Sequence, residues 1–237
     1  MRFEKKIAGL VLTVIVSMFF YGITFAQQTP DLKAEIYPKL TDRRCQIMSL
    51  DKCNCPDARE LKAYIEALIE TGANKDDIFY KAAKKFSPVV ILDKEMKEAM
   101  EKRLEAEIGK DRPQISFDTI SFDFGPVSRK QGSVKKNILV SNKGNQDLII
   151  KDIKAGCSCT TAALKVDKNI SPYFGNAGAG PGWQMVIEPG KSADLEIVFD
   201  AANPSVKPGN LKRDISIVSN DPIFPQGIVK FQVELTE

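Results

Sequence analysis

Histidine is absent from the 237 residues, and that absence removes whole classes of chemistry. A Ser-His-Asp or Cys-His hydrolase, an imidazole-bound metal and a CxxCH haem attachment all need a residue this chain does not have. An excess of one charge is missing too: 34 Lys and Arg stand against 31 Asp and Glu. Without Arg2, Glu4, Lys5 and Lys6 at the extreme N-terminus, residues 27–237 carry 31 basic against 30 acidic side chains. So even a balance offers no electrostatic footprint for nucleic acid. Tryptophan occurs once, at Trp183, and glycine only twice between Asp31 and Arg112. What is present, 43% hydrophobic and 27% charged residues, suits one to two folded domains with a sizeable core.

The only long apolar run, Ile7 to Ile23, follows the basic Arg2, Lys5 and Lys6 and ends at Thr24-Phe25-Ala26. A basic start, an apolar centre and a small-x-small end describe a secretory signal peptide cut after Ala26. About 20 apolar residues also span a bilayer, so the competing reading is an uncleaved anchor, and a membrane enters only if this segment is kept. Either way the remainder is extracytoplasmic, most simply periplasmic, where thiols oxidise and disulfides persist. All five cysteines fall in that exported part.

Two regions of different grammar follow a linker at 27–41. From Asp31 to Arg112 the chain has 17 basic and 17 acidic residues amid Ala and Leu, a helical composition. Leu61, Ile65, Leu68 and Ile69 fall on one face of a helix that Gly72 stops. A second helix begins at Asn74 as its cap, with Asp76 and Asp77 in its first turn. It turns Ile78, Phe79, Ala82, Ala83 and Phe86 inward and ends before Pro88. Val89 to Leu92 is a short apolar run that must be buried. Lys94 to Ile108 is a helix with one thin seam, Met96, Met100 and Leu104, a stalk or a docking helix. Methionines at that spacing are packing residues rather than metal ligands.

After the Arg112-Pro113 break, strand-like stretches recur: 115–117, 120–124, 134–141, 148–153, 160–166, 184–187, 193–199, 211–218 and 229–235. Asn, Gly, Pro and Asp turns separate them, which reads as an antiparallel β-sandwich of about 120 residues. The Gly-rich segment Asn176 to Gly182 lacks the Gly-Lys-Ser/Thr of a phosphate loop and reads as a surface loop, with Trp183 beside it as a packing residue. The predicted class is α+β in two separate domains. A helical domain at 42–108 is followed by a linker at 109–114 and a sandwich at 115–237.

The cysteines carry the only chemistry on offer. Cys53-Asn54-Cys55-Pro56 runs into a helix with Pro56 as its first residue and Cys55 or Asn54 as its cap. A helix start favours a thiolate, while Asp57 and Glu60 oppose it. The second pair, Cys157-Ser158-Cys159, sits between two strands. Two residues is a tight span for a disulfide, bridged only with strain, and strained bridges exchange readily. Three readings stay open. The cysteines are structural staples, or they exchange disulfides, or thiolates of both Cys-x-Cys pairs hold Cu(I) or zinc where the two domains meet. No organic cofactor is called for by any motif.

Phe122-Asp123-Phe124-Gly125-Pro126-Val127, Val140-Ser141-Asn142-Lys143-Gly144, Leu148-Ile149-Ile150, Cys157-Ser158-Cys159-Thr160, Ile187-Glu188-Pro189-Gly190, Phe199-Asp200 and Ser219-Asn220-Asp221-Pro222 form a specific set. Together they make region 115–235 resemble a bacterial family of exported Cys-Gly-Cys-Thr domains of unknown function. The fold this implies is immunoglobulin-like, of the Hydin and major sperm protein type. The insertion between Lys168 and Trp183 is longer than in that family. Cys45-Gln46, Ser49-Leu50-Asp51 and the apolar positions Leu61, Ile65, Ile69, Ile78, Phe86, Val90 and Leu92, with Gly72, resemble the small helical domain of the cytochrome c maturation protein H family. That resemblance implies disulfide exchange with a cysteine-containing client, although Asp42 stands where the family has its first cysteine.

The expectation is an exported accessory protein in envelope thiol redox or in maturation of an envelope protein client. Cys53, Cys55 and Cys45 are its nucleophile and resolving candidates, and Cys157 with Cys159 is a second pair, disulfide or thiolate. The alternatives are a non-enzymatic interaction scaffold with structural cysteines and a thiolate metal carrier.

Overall fold

A computed structural model describes residues 31–44, 46 and 48–237; the predicted signal segment and Cys45 lie outside the described residues. Four helices come first: α1 (Leu32–Ile36), α2 (Pro56–Glu70), α3 (Lys75–Phe86) and α4 (Lys94–Ile108). Their boundaries follow local chemistry. Pro56 opens α2 without wasting a hydrogen-bond donor, and Gly72, at φ 78°, turns the chain after the capping Thr71. Asn74 accepts from the Asp77 amide to cap α3, and Asp93 accepts from the Met96 amide to cap α4.

The helices meet along the predicted faces. Leu61 and Ile65 of α2 and Ile78, Phe79, Ala82, Ala83 and Phe86 of α3 are buried. The short apolar run after Pro88 forms a 3-10 turn (Pro88–Val90) and then a β-bridge from Ile91 to Leu40. Residues 32–40 therefore carry a helix and contribute the buried Ile36 and Leu40 to this core. The α4 helix lies on α3 rather than standing out as a stalk. Leu104 is its single buried side chain, Arg103 reaches Asp77 at 3.8 Å, and the Arg103 guanidinium sits 3.7 Å from the centre of the Tyr80 ring.

The second region is a sandwich of two five-stranded sheets. The first contains β1 (Ile115–Phe117), β3 (Ser133–Asn142), β8 (Ser192–Asp200), β5 (Thr160–Val166) and β6 (Asn169–Ile170), in that spatial order. The second contains β2 (Ser121–Ser128), β10 (Gln226–Thr236), β9 (Gly209–Ser219), β4 (Leu148–Ala155) and β7 (Met185–Ile187). Alternation along β10 puts Val229, Phe231, Val233 and Leu235 inward, where they meet Ile138, Leu195, Ile197 and Phe199 of the facing sheet. Trp183 packs edge-on against Phe174 at 4.8 Å, as a packing residue should.

One pairing departs from the antiparallel expectation. After β1 pairs with β3, the chain crosses to the other sheet and β2 runs parallel to β10, Phe122 opposite Phe231. Asp118 and Thr119 make the crossing: the Asp118 carboxylate accepts from the Leu139 and Thr119 amides, which pins the corner to β3.

Helices and sandwich are joined at a buried ion pair. Arg112, just past α4, places its guanidinium 3.4 Å from Asp221 and 3.2 Å from Glu105, with the Asp221 side chain fully buried. Asp221 also accepts from the amides of Ile115, Ile223 and Phe224. Over the junction the backbone passes close to Gly144, where a Cβ would stand 2.1 Å from the Arg112 carbonyl oxygen. Gly144→Ala should therefore force the junction apart and fail to reach native stability. Asp221→Ala should cost about 3–5 kcal/mol in urea denaturation, because it strands a buried guanidinium and three amides. A loss below about 1 kcal/mol would show that the pair does not hold the junction.

Candidate functional site

The site begins with a loop that returns on itself. Thr41 bridges Ser49, its hydroxyl donates to the Met48 carbonyl, and the Leu50 amide donates to the Leu40 carbonyl at 2.7 Å. A turn follows in which the Lys52 and Cys53 amides donate to the Ser49 carbonyl. The result carries Asp42 against the start of α2. There Cys55 is the cap: its backbone is extended and its Sγ accepts from the Ala58 amide at 3.3 Å. The Lys62 ammonium, one turn further along, donates to the Cys53 carbonyl at 2.6 Å, and Arg59 donates to the Asn54 carbonyl.

Three ligand-type atoms converge. Cys53 Sγ lies 3.5 Å from Cys55 Sγ and 3.5 Å from Asp42 Oδ2. Asp42 is 1% exposed and Cys53 6%, while Cys55 is half-buried. The other Asp42 oxygen, Oδ1, accepts from the Arg44 amide. Above this loop Arg43 lies over the Phe86 ring and reaches Glu60 at 3.5 Å.

Burial pushes the Cys55 thiol above the ordinary cysteine range; the Ala58 amide pulls it back, and the neighbouring Cys53 and the Asp42 charge push it further up. The helix start is thus outweighed by what faces it. A group with a raised pKa is mostly thiol at neutral pH, and the thiol is the unreactive form.

The second pair has a different fate. Cys157 and Cys159 are joined in a disulfide with Cα atoms 5.4 Å apart, in the turn between β4 and β5. Cys159 belongs to the sandwich core, Cys157 packs on it, and Arg213 Nε stands 3.4 Å from the Cys159 sulfur. A metal site drawing thiolates from both Cys-x-Cys pairs is therefore not formed, because one pair is consumed by its own bond. The two regions do meet nearby, where Arg44 reaches Asp214 of β9 at 3.6 Å; within the sandwich the Gly156 amide donates to the Asp214 carbonyl.

Of the predicted site residues, Cys53 and Cys55 come together and Cys157 and Cys159 pair separately. Asp42, Lys62 and Arg213 are members that sequence reasoning missed. The only trace of Asp42 was its place three residues before Cys45. Mapped alkylation of the reduced protein checks the site's electrostatics. Cys55 should react more slowly than free cysteine at pH 7.5, with a rate that climbs about tenfold per pH unit and levels off above the ordinary thiol midpoint. Asp42→Asn should bring that plateau to lower pH; a plateau already below the ordinary value in the parent would overturn this account.

Among solved structures the chain is similar to a protein of unknown function from Porphyromonas gingivalis W83, with 21% identity, 54% of this chain and 49% of that one covered, and a TM-score of 0.41. It is similar to the secreted serine protease VesC from Vibrio cholerae (18% identity, 51% and 23% covered, TM-score 0.34) and to the YadV chaperone (15% identity, 52% and 52% covered, TM-score 0.33). The chain spans about half or less of the length of each. No curated protein matches it. The family model for the HYDIN/CFA65/VesB-like Ig-like domain matches residues 113–233, the span from just after Arg112 to Val233 of β10. With the two-sheet sandwich occupying that same span, the chain belongs to the HYDIN/CFA65/VesB-like family of Ig-like domains.

Proposed function

We propose that the protein is a non-enzymatic interaction scaffold: an Ig-like sandwich, residues 115–237, that engages another envelope protein, with a helical domain, residues 42–108, locked onto it. The observation that carries this reading is the state of the sulfurs. The sandwich pair is closed on itself with Cys159 in the core, Cys53 is buried, and Cys55 is held as a thiol. Without histidine, the chain has no imidazole to serve as a general base. On the sandwich the single apolar side chains Ile120, Ile170 and Tyr173 are half or more exposed, and a protein partner would cover them.

An extracytoplasmic, periplasmic location accords with the N-terminal basic-apolar-small pattern and with the disulfide between Cys157 and Cys159, which a reducing cytosol does not preserve. No helix among the described residues is long and apolar enough to cross a membrane.

A second reading, disulfide exchange of the cytochrome c maturation protein H kind, is favoured by one observation: the Cys53 and Cys55 sulfurs stand 3.5 Å apart. Closing them into a disulfide would release two electrons and two protons to a client disulfide, leaving the client as a dithiol. Exchange with a disulfide peptide separates the two. The scaffold reading expects the parent to exchange no faster than the Cys53→Ser, Cys55→Ser double variant, at equal stability. Exchange at least tenfold faster in the parent, lost in the double variant without loss of stability, would replace it by the redox reading. The scaffold reading also expects Cys157→Ala, Cys159→Ala to lower unfolding free energy by about 2 kcal/mol, as removal of a short-loop staple should.

A further inference from the structure

The geometry points to a zinc site formed by Asp42, Cys53 and Cys55, and we propose that this cluster binds one zinc ion per chain. The inference is independent of whether the sandwich binds a partner. Tetrahedral zinc, with Zn–S near 2.3 Å and Zn–O near 2.0 Å, sets its ligand atoms about 3.8 Å apart for two sulfurs and about 3.5 Å for sulfur and oxygen. Here the two sulfurs are 3.5 Å apart, Cys53 Sγ and Asp42 Oδ2 are 3.5 Å apart, and all three ligand atoms lie within 4.8 Å of one another. The two pairs that Cys53 makes need to shift by only a few tenths of an ångström to receive the ion, and Asp42 and Cys55 stand within 4.8 Å of each other across it. Linear Cu(I) would need its sulfurs about 4.5 Å apart and gains little from a hard carboxylate, so the donor set favours zinc.

The surroundings are those of a supported site. The Ala58 amide donates to Cys55 Sγ, the Arg44 amide holds Asp42 Oδ1 and so aims Oδ2 at the sulfurs, and Lys62 fixes the Cys53 carbonyl. Such outer partners orient ligands and tune their basicity. Two thiolates and a carboxylate sum to three negative charges, which burial would make prohibitive; a dication leaves one, at the start of α2 whose amides favour it. Binding forms two S–Zn bonds and one O–Zn bond, sends the two thiol protons to solvent and moves no electrons. Three ligands among the described residues leave a fourth position for water. The ion would join Asp42 and its loop to the first turn of α2, adding to the Arg43–Glu60 ion pair that already links them.

The test is metal titration of the reduced, metal-stripped full chain, read by native mass spectrometry and by the absorption of the cobalt-substituted protein. The expected result is one zinc per chain, about two protons released, and a tetrahedral cobalt spectrum whose charge-transfer intensity corresponds to two thiolates. Because two protons compete with the ion, affinity should fall about a hundredfold per pH unit below neutrality. Cys53→Ser and Cys55→Ser should abolish tight binding, and Asp42→Asn should weaken it at least tenfold, with circular dichroism unchanged. Failure of the reduced parent to take zinc, a spectrum reporting three or more thiolates, or parent-like affinity in a folded Asp42→Asn protein would each overturn the assignment. Should Asp42→Asn not fold, the thiolate count and proton release of the parent decide it.

Discussion

The buried pair of Arg112 and Asp221 is the constraint on which the rest of the arrangement depends. Two charges taken out of water cost several kcal/mol each, and their mutual attraction returns that only when every remaining valence is used. Asp221 meets the condition: beyond Arg112 it accepts three backbone amides, one from the first residue of β1 and two from the turn that leads to β10. Arg112 meets it by sharing its other nitrogen with Glu105 of α4. A single carboxylate thus fixes where the first strand starts, how the last hairpin turns and where the last helix ends. The Gly144 turn closes over the same point, Asn142 holding it from below by accepting from the Gly144 amide and donating to the Ile187 carbonyl.

The two Cys-x-Cys segments show how backbone conformation decides what identical spacing can do. In the β4 to β5 turn, 5.4 Å between Cα atoms lets the sulfurs bond, and the bridge becomes part of a hydrophobic core. At the start of α2 the extended backbone of Cys55 sends its sulfur back toward the Ala58 amide to serve as a cap. Cys53 meanwhile turns inward toward Asp42. Its sulfur is a neighbour of Cys55 without being bonded to it. A sequence motif read alone does not distinguish the two; the elements on either side do.

Much of the fold was legible because its signals are local. Gly72 and Asn74 mark a helix end and the next helix start within three residues, Pro56 marks another start, and strict alternation in β10 declares a half-buried strand. What escaped reading depends on residues far apart in the chain. Nothing around Asp118 announces that β2 will leave one sheet and run parallel to β10, more than a hundred residues later. The two-residue β6 is too short to show a pattern, and Ile36 and Leu40 look like linker residues until Ile91 arrives to pair with the chain there. Asp42 is the sharpest case. A lone aspartate before a cysteine carries no motif, and it becomes part of a site only because the Thr41 to Ser49 bridge folds its loop onto α2.

That loop also touches the sandwich, which raises the question of whether the two sulfur sites influence each other. Arg44 forms an ion pair with Asp214 at 3.6 Å, and Asp214's neighbour Arg213 stands against the Cys159 sulfur while the Asp214 backbone carbonyl accepts the Gly156 amide just before the disulfide. The chain of contacts is continuous, yet its weakest link sets its capacity. The Arg44 side chain is 46% exposed and Asp214 25%, so this ion pair is worth at most about 1 kcal/mol and is screened by salt. A coupling that passes through it can change one site's equilibrium by no more than about fivefold when the other changes state. The larger link between the regions is the Arg112 junction, which lies at the far end of α4 and touches neither sulfur site. The helical site and the disulfide are therefore held in one frame but act separately, each governed by the groups in direct contact with its own sulfurs.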